Sequence, residues 1–329
     1  AQLWKAGFSD VYSAETVPSA PLDVLRSGRL AENLKDRDWA KLWLKSILLN
    51  DLPSRVEKLQ NIFAEFKPDA VIVDSVVYEG AIAAQKAGLP WATLTASLNP
   101  FIPESMVSVL KDHCQSWQSE REQLLSGLGA NLTFCLTDVV SPYLNLALTT
   151  NELIGEQANP AFKCVGPSIS ARDRGDETEF PWAKVRDDVP LIYAALGDET
   201  YNQPQAWQQI WESVEGRDVQ LICSVGALIS DPSLIGAAPA NVLLRDYVPQ
   251  LTVLAGCSLF ITNGGAASVM ESIYFGVPML ISPLWCNQAH HAHFVDKAGV
   301  GVRFEMQRAS SAVLWKRIDH ILTSGKIKE

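Results

Sequence analysis

The chain is poor in basic groups: its 329 residues hold 27 lysines and arginines against 37 aspartates and glutamates, and five histidines. The resulting net charge of −10 argues against nucleic acid or an anionic membrane as partner, since both require clustered cations. A nucleotide is not excluded, because backbone N–H groups can hold phosphate inside an acidic protein. No apolar run approaches the ~18 residues of a membrane span, and no basic-then-apolar leader opens the sequence. The six cysteines (114, 135, 164, 223, 257, 286) form no CxxC pair, so they read as reduced, mostly buried thiols of a cytoplasmic protein. Asn131-Leu132-Thr133 matches a glycosylation sequon, but with no secretory signal it carries no weight. The N-terminal half also lacks a GxGxxG turn with an acidic residue ~20 positions on, which disfavours an NAD-dependent dehydrogenase.

What is present is α/β alternation, twice. Apolar residues at helical spacing run from Glu32 to Phe66, with Asp51 and Pro53 marking a break. The runs Ala70–Val73 and Trp91–Thr95 flank a helix over about 78–87, a βαβ unit of a parallel sheet. Asp74 ends the first run, where an aspartate on a buried strand needs a partner or a task. Leu110, Cys114, Trp117, Arg121 and Leu124 form one helical stripe, and Leu144–Leu148 and Phe162–Val165 are short strands. Residues 166–190, rich in charge, Gly and Pro, read as an interdomain linker. The second half has strands at 191–196, 219–224 and 242–244, with a helix bearing Trp207, Ile210, Trp211 and Val214 on one face. These elements predict domains at 1–166 and 167–329, each a doubly wound parallel sheet, with ligands at the carboxyl ends of the strands.

The densest stretch is 241–288. Ser258–Thr262 reads as a strand, Asn263-Gly264-Gly265 as a turn, and a helix starts near Ala266. Val277–Pro283 follows as a second buried run, closing on Asn287-Gln288. Such a turn exposes unpaired N–H groups at the positive end of a helix and suits a phosphate.

Four stretches in this segment, Tyr247-Val248-Pro249-Gln250, Asn263 to Glu271, Gly276-Val277-Pro278 and Asn287-Gln288, agree in order and spacing with one pattern. It resembles the donor-site signature of the UDP-glycosyltransferases of GT-B fold, which include macrolide and plant natural-product enzymes. The resemblance implies two Rossmann-like domains facing a cleft, and inverting, metal-independent transfer of a sugar from a nucleotide-diphospho donor. The acceptor would be a hydroxyl of a small lipophilic molecule. The donor is a co-substrate, so no cofactor is implied; a homodimer stays open. Gly197 and the N–H groups of Gly265, Ala267 and Ser268 would lie near the diphosphate, and the Ser268 hydroxyl would join them. Glu271 would accept hydrogen bonds from the ribose. Tyr247 would stack on the base, Val248 would offer it backbone groups, and Gln250 would assist. Asn287 and Gln288 would hold the sugar hydroxyls. By the same resemblance Asp74 would orient a catalytic histidine.

Each assignment has a plainer counterpart: Glu271 as a solvated helix residue, Tyr247 as core, Asn287 as a helix cap, Asp74 as a turn former. Ser224 and Gly226 sit at a strand end, where structural use is as good a reading. Several positions depart from the pattern. Asn263 stands where the family has a histidine that hydrogen-bonds the diphosphate, and Asn287 where it has an acidic residue. Asp198 follows Gly197 where the family has Thr or Ser; about 6 Å from a phosphate charge it would cost roughly 3 kcal/mol at a dielectric of about 20. The family's opening strand, histidine-bearing turn and final crossing helix have no counterpart, so the resemblance implies segments beyond both ends. These departures raise an alternative, a glycosyltransferase-fold protein that binds without catalysing. His290, His291 and His293 near Cys286 do not put three ligands on one helix face, so no metal site is read there.

Overall fold

The computed structural model describes residues 37–156, 158–169, 179–197, 204–226, 236–284 and 286–324. The central part of the predicted linker, Asp198 and the region around Ala1 lie outside the described residues. Two compact units divide between Ser168 and Ile169.

In the first unit, α1 (Arg37–Leu49) and α2 (Leu52–Phe66) are separated by Asp51, whose φ of 54° ends one helix before Pro53 opens the next. β1 (Val71–Asp74), α3 (Tyr78–Lys86) and β2 (Trp91–Thr95) form the expected βαβ unit, with Val71 opposite Trp91. β2 also pairs with β5 (Leu144–Ala147), which leads through α6 (Asn151–Ile154) to its partner β6 (Lys163–Cys164). The order among the described residues is β1-β2-β5-β6, all parallel.

Three expectations change here. Among the described residues β1 pairs with β2 alone, and Asp74 at its end is exposed rather than buried, its carboxylate accepting the Val76 N–H at 3.0 Å. The single stripe over 110–124 is two helices, α4 (Val109–Ser116) and α5 (Gln118–Gly127), broken at Trp117. The break shifts the phase, so Leu125 is buried in place of Leu124. An antiparallel hairpin of β3 (Thr133–Cys135) and β4 (Asp138–Val140) was not expected at all. Its turn uses Leu136 at φ 58°, a residue type that signals no turn.

The hairpin delivers the buried carboxylate of this unit. Asp138, at 0% exposure, accepts hydrogen bonds from Ser75 Oγ (2.7 Å) and Thr95 Oγ1 (2.6 Å) on one oxygen. Asn99 Nδ2 (2.7 Å) and Thr137 Oγ1 (3.2 Å) donate to the other. Burial pushes its pKa above the usual carboxylate value, while these four donors pull it back. The same hairpin ties down Ser75, whose carbonyl takes the Val139 N–H at 2.8 Å.

Among the described residues the second unit holds a six-stranded parallel sheet, ordered β12-β11-β10-β7-β8-β9. Its elements are β7 (Leu191–Ala195), α7 (Pro204–Val214), β8 (Gln220–Ser224), β9 (Val242–Arg245), α8 (Gln250–Leu254), β10 (Leu259–Thr262) and α9 (Ala266–Tyr274). β11 (Met279–Ile281), α10 (Gln288–Lys297), β12 (Gly301–Arg303) and α11 (Ser311–Ser324) complete it. β10 is buried throughout, as expected for a central strand of a parallel sheet covered on both faces. One face packs Ile192, Ala194, Leu259 and Ile261 against Trp207, Ile210, Leu314 and Ile318 of α7 and α11. On the other, Tyr193 stacks on Phe260 with ring centroids 5.0 Å apart.

Asp138→Ala strands four buried donors. It is expected to lower the stability of the first unit by about 3 kcal/mol or more, read as a fall in the urea midpoint; an unchanged midpoint would remove the structural role assigned to this carboxylate.

Candidate functional site

β10 ends at Thr262, and the chain turns through Asn263, Gly264 and Gly265 into α9. Gly264 has φ 89°, and a Cβ on it would meet Ile281 Cδ1 at 2.9 Å, so position 264 favours glycine. Thr262 Oγ1 accepts the Gly264 N–H at 3.2 Å. Asn263 is buried, and its Oδ1 accepts the Gly265 N–H at 3.3 Å. The amide nitrogen of Asn263 leans over Gly197, where a Cβ would lie 2.8 Å away.

His291 on α10 closes the turn from behind. It is 1% exposed, and its Nδ1 lies 2.6 Å from the Gly264 carbonyl oxygen. A carbonyl can only accept, so Nδ1 carries the hydrogen. Burial lowers the His291 pKa to about 4 although the bond to Gly264 pulls the other way, leaving a neutral ring at pH 7. Beyond this turn, the first N–H groups of α9, from Ala266, Ala267 and Ser268, have no intrahelical acceptor. No side chain of Gly265 can cap them.

One turn further, Glu271 is 4% exposed and shares a helix face with Ser268. Gln250 at the start of α8 donates from Nε2 to Glu271 Oε2 at 2.5 Å and lies 3.3 Å from Ser268 Oγ. Tyr193 donates its hydroxyl to Gln250 Oε1 at 3.2 Å, which fixes the amide with its nitrogen toward the carboxylate. Tyr247 is half-buried beside buried Val248. Gly197, Tyr247, Gln250, Asn263, Asn287 and Gln288 all follow the carboxyl ends of strands β7, β9, β10 and β11, the edge at which open parallel sheets bind ligands.

The same segment carries the likeness to known proteins. The family model described as UDP-glucoronosyl and UDP-glucosyl transferase matches residues 229–329. Over this segment the chain resembles the UDP-glycosyltransferase family. It is 28% identical over 273 residues to the uncharacterized UDP-glucosyltransferase YojK of Bacillus subtilis, covering 79% of this chain and 66% of that one. To the NDP-glycosyltransferase YjiC of Bacillus subtilis it is 27% identical over 289 residues, 85% of this chain and 71% of the relative. The chain therefore spans about two thirds of the length of these relatives. In fold it is similar to the crystal structure of the glycotransferase of kitacinnamycin, with a TM-score of 0.71 at 19% identity, over 99% of this chain and 81% of that one. The fold is GT-B.

Set against the family pattern, several side chains have definite placements. Asn287 precedes α10 but makes no capping hydrogen bond, so the plain capping role is not what it performs. Gln288 is buried, with Oε1 accepting the Leu284 N–H at 2.8 Å. Between them and β11, Cys286 adopts φ 54°, a left-handed conformation unusual for a residue with a Cβ. Asp74 belongs to the other unit and lies in solvent.

Two residues escaped sequence reasoning. His291 looked like any helix histidine; only its position three residues after the Asn-Gln pair distinguished it. Asp138 had no signal beyond an aspartate in an apolar run. Among the described residues no group of three or more His, Cys, Asp or Glu side chains is placed to hold a metal.

Burial lowers His290 as well, to about 4, helped by its histidine neighbours His291 and His293. Between pH ~6.5 and ~4 the unfolded chain binds protons that the folded one refuses, so stability falls as pH drops through that window. Each buried ring contributes roughly 3 kcal/mol to this loss. Urea midpoints at pH 7 and pH 4.5 should therefore diverge less in His290→Gln than in the unaltered protein; an identical divergence would contradict the neutral, buried state of the ring. Cys286→Gly is expected to raise stability by up to about 1 kcal/mol by relieving left-handed strain, read as a higher urea midpoint.

Proposed function

We propose that the second unit binds a nucleotide-diphospho sugar, UDP-linked, and that the protein transfers the sugar with inversion to a hydroxyl of a small lipophilic acceptor. The observation that carries this reading is the Gln250–Glu271–Ser268 cluster, lying one helical turn from the unspent N–H groups of Ala266, Ala267 and Ser268. Gln250 donates to one oxygen of the buried Glu271 carboxylate, and in this reading the carboxylate accepts hydrogen bonds from the hydroxyls of a ribose. The diphosphate then meets the positive end of α9. Asn287 and Gln288 hold the sugar, Tyr247 stacks on the base, and Val248 offers it backbone groups.

In the reaction the acceptor oxygen forms a bond to the anomeric carbon while the bond from that carbon to the diphosphate breaks. The electron pair leaves with the nucleoside diphosphate, and the acceptor proton passes to a general base. Helix N–H groups stabilise the charge that builds on the diphosphate. Metal-independent chemistry is part of this reading, and Asp74 is assigned to orienting the base. Residence in the cytoplasm is the accompanying proposal: none of the six cysteines forms a disulfide, which suits a reducing compartment. No described helix is long and apolar enough to cross a membrane.

A second reading, binding without turnover, is favoured by one observation: neutral side chains stand at Asn263 and Asn287, and the acceptor oxygen of Asn263 is committed to Gly265. Neutral hydrogen bonds contribute about 0.5–1.5 kcal/mol, against about 1.5–3 for charged ones.

Calorimetry of the protein with UDP separates the outcomes. Binding is expected, with Glu271→Ala weakening it about 10- to 100-fold through loss of charged hydrogen bonds. No detectable binding at millimolar UDP would sink the donor assignment. Binding without sugar transfer to any of a panel of hydroxylated aromatic acceptors would select the second reading.

A further inference from the structure

The peptide group joining Gly264 to Gly265 is held at both ends. Its carbonyl oxygen takes the Nδ1 hydrogen of His291 at 2.6 Å, and its N–H goes to Asn263 Oδ1 at 3.3 Å. A peptide group is planar, so anchoring the oxygen and the nitrogen together removes its freedom to rotate. That plane directly precedes the Gly265–Ala266 peptide, which carries the first N–H of α9, so its orientation constrains where the first N–H groups of the helix point. The two anchors come from different elements: Asn263 from the end of β10, His291 from the first turn of α10.

The clamp also changes which groups remain for an anion. The Gly264 N–H is engaged by Thr262 and the Gly265 N–H by Asn263. The donors left at the turn are those of Ala266, Ala267 and Ser268.

We propose that His291 is a positioning residue for diphosphate binding: through the Gly264–Gly265 peptide it fixes the helix N–H groups that receive the diphosphate, without touching the ligand itself. This rests on the donor-site reading above. It also makes Asn263 the opposite jaw of the same clamp, a different employment from the diphosphate contact made by the family histidine at that position.

The chemistry required of residue 291 is a hydrogen-bond donor at the distance of Nδ1. Asparagine places an amide nitrogen at nearly the same reach; leucine, of similar size, has no donor. A packing role would treat these two alike, whereas a clamp separates them. The ligand also discriminates, since uridine lacks the diphosphate and does not depend on the turn.

The experiment is calorimetry of the full chain with UDP and, separately, with uridine, on the unaltered protein, His291→Asn and His291→Leu. In His291→Leu, UDP affinity is expected to fall about tenfold or more while uridine affinity changes less than about twofold. His291→Asn should keep UDP affinity within about threefold of the unaltered protein. Should His291→Leu not fold, His291→Ser, whose hydroxyl is too short to reach the Gly264 oxygen, takes its place. Equal losses for UDP and uridine, an unchanged UDP affinity in the donor-less variant, or a selective UDP loss in His291→Asn would each overturn the proposal. If the unaltered protein binds UDP and only the ratios are wrong, this inference falls alone. If it does not bind UDP, the donor assignment falls and takes this inference with it.

Discussion

A single hydrogen bond, from the buried ring of His291 to the carbonyl of Gly264, ties the glycine turn of the second unit to the helix behind it. The turn sits where four strands deliver their ends, and it must hold a left-handed glycine against Ile281. Glycine brings conformational freedom along with close approach; without an external anchor that freedom would blur the direction of the helix N–H groups. The imidazole supplies the anchor from a rigid element and stays uncharged while doing so. A low local dielectric strengthens such a bond.

The polar groups nearby follow a common logic. Tyr193 orients Gln250, and Gln250 orients Glu271, so a carboxylate that burial alone would disfavour is steadied by an amide whose own direction is fixed. In the first unit Asp138 gathers Ser75, Thr95, Asn99 and Thr137 in the same manner. Buried polar groups of this kind stabilise only when all members are satisfied, and both clusters come close to that condition.

Much of the architecture was legible in the residues. The runs at 191–196 and 258–262 are continuous and apolar, the mark of strands covered on both faces, and glycine or proline punctuates their ends. Tyr247, Gln250, Asn263 and Glu271 could be singled out because motif order fixes their spacing, and a βαβ unit then dictates which strand ends they occupy. What stayed hidden has a physical cause in each case. The β3–β4 hairpin turns on Leu136, whose side chain announces no turn. The tasks of His291 and Asp138 depend on partners 27 and up to 63 residues away, beyond any local pattern.

The contact between Gly197 and Asn263 couples two positions that are remote in the chain and adjacent in space. The amide of Asn263 occupies the volume that any larger residue at 197 would claim. Drift at one site is therefore restricted by the other: a chain that acquired alanine after β7 would have to give up, or swing aside, the side chain that steadies the turn after β10. In a set of related sequences the two columns should vary in concert, small beside broad, and a break in that concordance would mark lineages in which the loop has been rebuilt.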